Sequence, residues 1–204
     1  MYDKLADKET VQKVIVALKE RGVEGIYVEN GTEALEKIKE LIPTGASVMN
    51  GTSTTLEQIG YLEYLESGKH GWNNLHAGVI AENDKKKRGE LRKWAALSDY
   101  YLGSVHALAE SGEFIVGSNT GSQLPHIVFT SPNLIFVVST KKIVKNFQDA
   151  MERLKKHVVP LEDKRSMKAY GVGTALNKIV IFNGENPGLG RKVRMILVNE
   201  DLGF

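Results

Sequence analysis

The chain has 204 residues, of which 42% are hydrophobic and 25% are charged, and its 27 basic and 25 acidic residues give a net charge of +2. This composition is typical of a globular protein, and the near balance of charge argues against a nucleic-acid-binding protein, which needs a concentrated basic face. There are no cysteines, so disulfide scaffolds, cysteine-ligated metal clusters and cysteine nucleophiles are excluded as chemistry of these residues.

The N-terminal segment MYDKLADKETVQ is polar and charged, which is not the pattern of a signal peptide. No apolar run approaches the ~18 residues that span a bilayer. We therefore expect a cytoplasmic protein that does not contact a membrane, and the absence of cysteine is compatible with that compartment.

Helices alternate with short apolar strands from the N-terminus onward. Apolar residues at helical spacing predict a first helix that ends at Gly22, and GIYVE follows as a strand. Asn30 is placed to begin a second helix, and ASVM at 46–49 has the pattern of a buried strand. The later predicted elements are a helix over 83–97, a strand over 100–108, a hairpin from Glu110 to Val116, a helix near 121–130, a strand over 134–138, a helix from Val144 to His157, and strands over 178–182 and 193–198.

This alternation predicts a single α/β domain over residues 1–204, with a mainly parallel sheet covered on both faces. Segment 160–177 has neither helical nor strand periodicity, so we expect it to be irregular and the most mobile internal part. In sheets of this kind, ligands bind beyond the carboxyl ends of strands, often where a helix begins.

The segment MNGTSTT at 49–55 lies at such a place, because a predicted strand ends there and a helix begins. Unpaired backbone N–H groups at a helix start, together with added hydroxyls, favour anion binding. The alternative is local, since Thr54 and Glu57 have the spacing of a capping box and need no ligand. The candidate substrate-binding residues of this first loop are Asn50, Gly51, Thr52, Ser53, Thr54 and Thr55.

A second loop with the same composition, GSNTGSQL at 117–124, also leads from a strand to a helix. A turn followed by a helix cap would explain it without a ligand. Two such loops in one sheet can converge on one anion, so we expect both to open toward a shared cleft. The candidate substrate-binding residues of this second loop are Gly117, Asn119, Thr120, Gly121 and Ser122.

Glu110 is the candidate catalytic residue, because it follows an apolar strand and precedes a tight Ser-Gly turn. A carboxylate there would act as a nucleophile or general base if it faced the cleft. The alternative is a hairpin-turn residue in water. The five histidines show no metal-ligand spacing, so we predict no metal site.

The order SVHALAESGEFIVGSNTGSQLPHIVFTSPNLIFVVSTKKIVKNF resembles the central signature of the LUD (lactate-utilisation) domain family. TSTTLEQIGYLEYL and the closing VRMILVNEDLGF are similar to further elements of that family. The resemblance covers roughly residues 8–204 and implies the three-layer α/β/α fold shared with ribose-5-phosphate isomerase, glucosamine-6-phosphate deaminase and CoA transferases.

The resemblance also implies roles for both loops and for Glu110. In the relatives of this fold a Gly/Ser/Thr loop binds phosphate, and MNGTSTT stands in the matching position. In CoA transferases a Glu in a similar turn forms an acyl adduct, and AESG at 109–112 is similar to that turn. The sequence departs from many family members in lacking a cysteine cluster before the last strand, and it lacks the acidic motif of the isomerases.

Three functions follow from the resemblance. The first is a protein of lactate or related organic-acid metabolism that binds an anionic small molecule, such as a phosphate, a hydroxy acid or a CoA ester. The second is a CoA-transferase-like enzyme with Glu110 as nucleophile, and the third is a non-catalytic scaffold subunit. The protein partners that we consider are subunits with iron–sulfur clusters and a second copy of the chain; the sequence identifies no cofactor.

Overall fold

The computed structural model describes residues 2–204, and a six-stranded parallel sheet forms its centre. The strands of this sheet are β1 (Val23–Val28), β2 (Ser47–Asn50), β3 (Asn73–Asn74), β4 (Tyr100–Gly103), β7 (Asn133–Ser139) and β10 (Lys192–Val198). Their spatial order is β1-β10-β7-β4-β2-β3, and every neighbouring pair is parallel. The predicted α/β class with a mainly parallel sheet is confirmed.

Helices and a second sheet cover the two faces of the central sheet. The helices are α1 (Lys8–Glu20), α2 (Gly31–Leu41), α3 (Thr54–Gln58), α4 (Tyr61–Glu66), α5 (Leu75–Ala81), α6 (Lys85–Ala95), α7 (Phe147–Arg153) and α8 (Val159–Tyr170). Alternate residues of β7 point to opposite faces, so Ile135 packs with α2–α4 while Phe136 packs with α1 and the second sheet. Within residues 2–204, no helix is long and apolar enough to cross a membrane.

The second sheet contains β5 (Ala107–Ala109), β6 (Phe114–Ser118), β8 (Ile143–Val144) and β9 (Lys178–Phe182), in the order β8-β5-β6-β9. The hairpin predicted across residues 110–116 is confirmed, because β5 and β6 pair antiparallel. The single strand predicted over 100–108 is wrong. The chain leaves the central sheet at Gly103 and enters the second sheet at Ala107, so Ser104, Val105 and His106 form a crossing between the two sheets.

The prediction that segment 160–177 is irregular is wrong for its first part, because α8 extends to Tyr170. A π-helical turn, Leu154–Val158, joins α7 to α8. Pro160 has no N–H to continue the hydrogen-bond ladder of an α-helix, and a local change of helical geometry is a usual response to a proline. Gly171, with φ of 70°, ends the helix. The helix predicted near 121–130 is a short π-helical turn, His126–Thr130.

Aromatic contacts join the two sheets. Phe136 of the central sheet meets Phe114 of the second sheet edge to face at 5.5 Å, and Phe114 stacks on Phe182 at 4.7 Å. All three rings are buried, so they exclude water from the space between the sheets. Aromatic pairs in such arrangements add about 0.5–1.5 kcal/mol to the stabilisation that comes from burial alone.

Replacing Phe114 with Ala should therefore lower the free energy of unfolding by about 3–5 kcal/mol, because a large buried ring is removed from between the sheets. Phe129, which is 80% exposed, is the matched control, and Phe129→Ala should change stability by no more than about 0.5 kcal/mol. Urea denaturation of both variants measures the difference. Equal effects of the two substitutions would contradict the role of Phe114.

Candidate functional site

A cavity of about 440 Å³ lies at the carboxyl ends of β2 and β4, between the central sheet, the end of β6 and helix α8. Both predicted loops line this one cavity, which is the arrangement that their similar composition led us to expect. The candidate residues that line it are Gly51, Thr52, Ser53, Thr54 and Thr55 from the first loop and Gly117, Asn119, Thr120 and Ser122 from the second, which also contributes Ser118 and Gln123.

Two of the candidate binding residues do not line the cavity but shape the loops beside it. The buried Asn50 donates from Nδ2 to the Gly51 carbonyl at 3.2 Å. Gly121 has φ of 84°, and its N–H donates to the Ser118 hydroxyl at 2.9 Å, which fixes the turn of the second loop. Asn119 belongs to the lining, and its amide oxygen accepts a hydrogen bond from Asn177 at 2.7 Å.

The hydroxyls of the first loop have different roles. Ser53 caps α3, because its Oγ accepts a hydrogen bond from the N–H of Leu56 at 3.3 Å. The predicted capping box at Thr54 is therefore wrong by one residue, and Thr54 remains at the cavity surface. Thr55 is buried in the first turn of α3 and directs its hydroxyl toward the cavity floor.

Lys142 lies on the cavity floor and is the residue that sequence reasoning missed. Its Nζ donates to the Thr55 hydroxyl at 3.1 Å and to the Ser104 hydroxyl at 3.0 Å. The side chain is only 3% exposed. Among the ion pairs of residues 2–204, none includes Lys142, so a buried amine faces the cavity without a carboxylate partner.

Burial and neighbouring positive charge both disfavour protonation of this amine. Desolvation, with smaller contributions from the positive charges of Arg153 and Lys141, lowers the pKa of Lys142 from 10.5 to about 7. Lys142 therefore has substantial neutral and charged populations near neutral pH. Its neighbour Lys141 forms an ion pair with Asp201.

His106 also lines the cavity, and it is neutral. Burial lowers its pKa to about 3, with smaller contributions from Lys142 and Arg153. Its Nδ1 accepts the backbone N–H of Gly117 at 3.0 Å, so the neutral ring carries its proton on Nε2. The buried Arg153 donates to the carbonyl of His106. His106 therefore offers the cavity an N–H donor and no positive charge.

One wall of the cavity comes from the helical segment 154–170 and the loop after it, and it is largely apolar. Leu154, Val158 and Leu176 contribute to this wall. At the edge of the cavity, Arg165 forms two hydrogen bonds to the Glu162 carboxylate, at 2.7 and 2.6 Å. The site thus combines a polar floor that holds an amine with an apolar wall, a pattern that is typical of small-molecule pockets.

Glu110 does not line the cavity, and the expectation that it faces the cleft is wrong. Strand β5 begins beside His106 and leads away from the cavity, so four residues of extended chain carry Glu110 about 13 Å from that end. The turn that follows packs on α1, where a Cβ at Gly112 would meet the Ala17 carbonyl at 3.1 Å. The structure places Glu110 in a hairpin turn at the far end of the second sheet.

The comparison with protein families identifies one match, to the LUD domain, over residues 11–176. The chain belongs to the LUD domain family. The matched region contains both loops, Lys142 and His106, and thus almost the whole cavity of this LUD domain. No match was found among functionally curated proteins.

One solved structure supports the α/β fold. A DUF162 family protein from Deinococcus radiodurans is 14% identical, with a TM-score of 0.55 over 96% of this chain and 100% of that chain. Ribose 5-phosphate isomerase A from Neisseria gonorrhoeae is 12% identical over 98% of this chain and 97% of that chain. The TM-score with this isomerase is 0.40.

Gly203 packs against the polar floor, and a side chain there should disturb it. A Cβ at this position would lie 2.2 Å from Thr55 Oγ1 and 2.9 Å from Lys142 Nζ, and the φ of 65° adds strain. We expect Gly203→Ala to lower the free energy of unfolding by about 2–5 kcal/mol, the sum of left-handed strain and overpacking.

Gly190→Ala is the matched control, because Gly190 has a similar φ of 79° but a Cβ added there would have no atom within 4 Å. It should destabilise the protein by about 1–2 kcal/mol, from backbone strain alone. Urea denaturation compares the two, and an equal loss in both variants would show that the contact with Thr55 and Lys142 is unimportant.

Replacing Lys142 with Met should change how stability depends on pH. Between pH 7 and about 10 the unfolded state retains the lysine proton and the folded state releases it, so this group makes stability rise with pH. The wild-type protein should therefore gain stability relative to Lys142→Met, by at most about 1.4 kcal/mol per pH unit in this window. Urea denaturation at pH 6.5, 7.5, 8.5 and 9.5 measures the difference in free energy of unfolding between the wild-type protein and Lys142→Met. A difference that does not depend on pH would contradict the assignment of a buried amine.

Proposed function

We propose that this LUD domain binds a small organic anion in the cavity and serves lactate or related organic-acid metabolism, with Lys142 as the group that recognises the anion. The observation that carries the proposal is the buried Lys142 amine, held between two hydroxyls and facing the cavity without a carboxylate partner. A bound anion would supply the missing negative charge and favour the protonated amine.

The rest of the lining supports an anionic ligand of modest size. Hydroxyl and backbone donors come from both loops, and His106 adds a neutral N–H. The ion pair between Glu162 and Arg165 is internally neutralised, so it does not compete with Lys142 for the ligand charge. The volume of about 440 Å³ accommodates a small carboxylate or phosphate with room for an apolar group beside Leu154 and Leu176.

The CoA-transferase alternative depended on Glu110, and the position of Glu110 does not favour it. The acidic residue in the cavity lining is Glu162, which lies in α8 and is paired with Arg165. It is therefore not placed to replace Glu110 as a nucleophile. Iron–sulfur partner subunits and a homodimer are suggested by the family resemblance alone. Co-purification from cells that express the tagged chain tests for such partners.

A thermal-shift series tests the binding proposal, with sodium L-lactate, inorganic phosphate and acetyl-CoA as probes and sodium chloride at matched ionic strength as the reference. A ligand at ten times its Kd should stabilise the protein by about 1.4 kcal/mol and raise Tm by about 3–6 °C. Lys142→Met should weaken binding of the effective probe by at least about tenfold, because a charge-assisted hydrogen bond is lost.

Glu110→Gln is the control that separates the two candidate residues. It should leave the ligand-induced rise in Tm unchanged, because Glu110 lies outside the cavity. If no probe raises the Tm of the wild-type protein, a scaffold role without a ligand replaces our proposal. If Glu110→Gln abolishes the effect and Lys142→Met does not, the assignment of the site is wrong.

A further inference from the structure

We propose that Lys142 forms a reversible imine with a carbonyl-bearing organic acid of the 2-oxo acid class at the floor of the cavity. This inference rests on the proposed function and deepens it, because the carboxylate of such an acid is the anion and its adjacent carbonyl is the reacting group. The structural basis is a positioned amine that no carboxylate neutralises, at the end of a cavity large enough for the acid.

The first requirement for imine formation is an amine held in one place. The Nζ of Lys142 is fixed by the hydroxyls of Thr55 and Ser104, which are themselves 3.5 Å apart. These two residues come from α3 and from the crossing between the sheets, so the position of Nζ depends on the fold and not on a flexible side chain alone. A fixed nucleophile reacts without an additional loss of orientational freedom.

The second requirement is a neutral amine, because only the lone pair attacks a carbonyl carbon. Thr55 and Ser104 contact Nζ, the cations Lys141 and Arg153 lie nearby, and His106 on the adjoining segment is neutral. None of these neighbours is a carboxylate, so no negative charge among them holds the amine in its protonated form. The lowered pKa of Lys142 agrees with this geometry, whereas an amine paired with a carboxylate would be held in its charged form.

The third requirement is a donor for the carboxylate and for the carbonyl oxygen. His106 offers its Nε2–H at the cavity, since Nδ1 is occupied by the N–H of Gly117. Hydroxyls of Thr54 and Ser122 add further donors on the lining. A 2-oxo acid held by these groups would present its carbonyl carbon to Lys142.

The reaction involves no oxidation and needs no co-reactant. The lone pair of Nζ attacks the carbonyl carbon, the nitrogen passes one of its protons to the former carbonyl oxygen, and a neutral carbinolamine forms. The hydroxyl takes a second proton from solvent water and leaves as water, while the nitrogen lone pair forms the C=N bond of the protonated imine. Addition of water reverses both steps and returns that proton to solvent. The protonated imine is a cation beside the carboxylate of the acid, so the adduct restores the charge balance that free Lys142 lacks.

Reductive trapping tests the inference on the intact folded chain. The protein is incubated at pH 7.5 with pyruvate and sodium cyanoborohydride, and labelled lysines are identified by intact mass and peptide mapping. Lys142 should be labelled at least about tenfold faster than the exposed Lys155, because a larger fraction of its amine is neutral.

Two variants serve as controls. Lys142→Arg has no primary amine and cannot form the imine, so labelling at this position should disappear. Lys141→Arg should leave labelling of Lys142 intact, because Lys141 pairs with Asp201 and is not part of the lining. Labelling of Lys142 no faster than that of Lys155 would overturn the imine.

The failures of the two proposals are distinguishable. If pyruvate and L-lactate raise the Tm of the wild-type protein but no adduct forms at Lys142, the imine is wrong and anion binding stands. If neither acid, nor phosphate, nor acetyl-CoA raises Tm and Lys142 is not labelled, both proposals fail. Selective labelling of Lys142 in the folded protein, lost in urea, supports the imine.

Discussion

The buried amine of Lys142 is the interaction on which the architecture of the cavity depends. Its hydrogen bonds to Thr55 and Ser104 join the segment after β7 to α3 and to the crossing between the two sheets. Burying a lysine without a carboxylate opposes folding, since desolvation penalises the charged form. A local feature that lowers stability and lies in a cavity is more readily explained by a ligand than by a role in folding.

The second sheet gives this amine its surroundings. Strand β8 begins directly after Lys142, and it pairs with β5, which begins directly after His106. The two side chains therefore lie at the same end of the second sheet, next to the carboxyl edge of the central sheet. The aromatic contact between Phe114 and Phe136 holds the sheets together behind them. The cavity therefore lies where the two sheets meet, and it is not formed only by loops at the edge of the central sheet.

Part of this arrangement followed from the sequence and part did not. Alternating helices and apolar runs predicted the parallel sheet, and matching Gly/hydroxyl loops predicted that 50–55 and 117–122 lie together. The second sheet was missed because β5 and β8 have only three and two residues, too few to show a period. Because residues 100–108 were treated as one strand, Glu110 was expected at the carboxyl edge of the central sheet. In the structure, Ser104–His106 lie at that edge, and Glu110 lies beyond β5 in the second sheet.

Lys142 illustrates the limit of local patterns most clearly. The sequence shows two adjacent lysines after an apolar strand, and both lie in a 3₁₀ turn, Thr140–Lys142, where neighbouring side chains point in different directions. Residues far away in the sequence decide which of the two lysines reaches the cavity. Asp201 pairs with Lys141, while the hydroxyls of Thr55 and Ser104 accept hydrogen bonds from Lys142. Gly203 completes this selection, since only a residue without a Cβ fits against both Thr55 and Lys142. The surroundings of the Lys142 amine thus come from four segments that are far apart in the sequence, represented by Thr55, Ser104, Lys142 and Gly203. The two strand-to-helix loops alone do not account for the position of this amine.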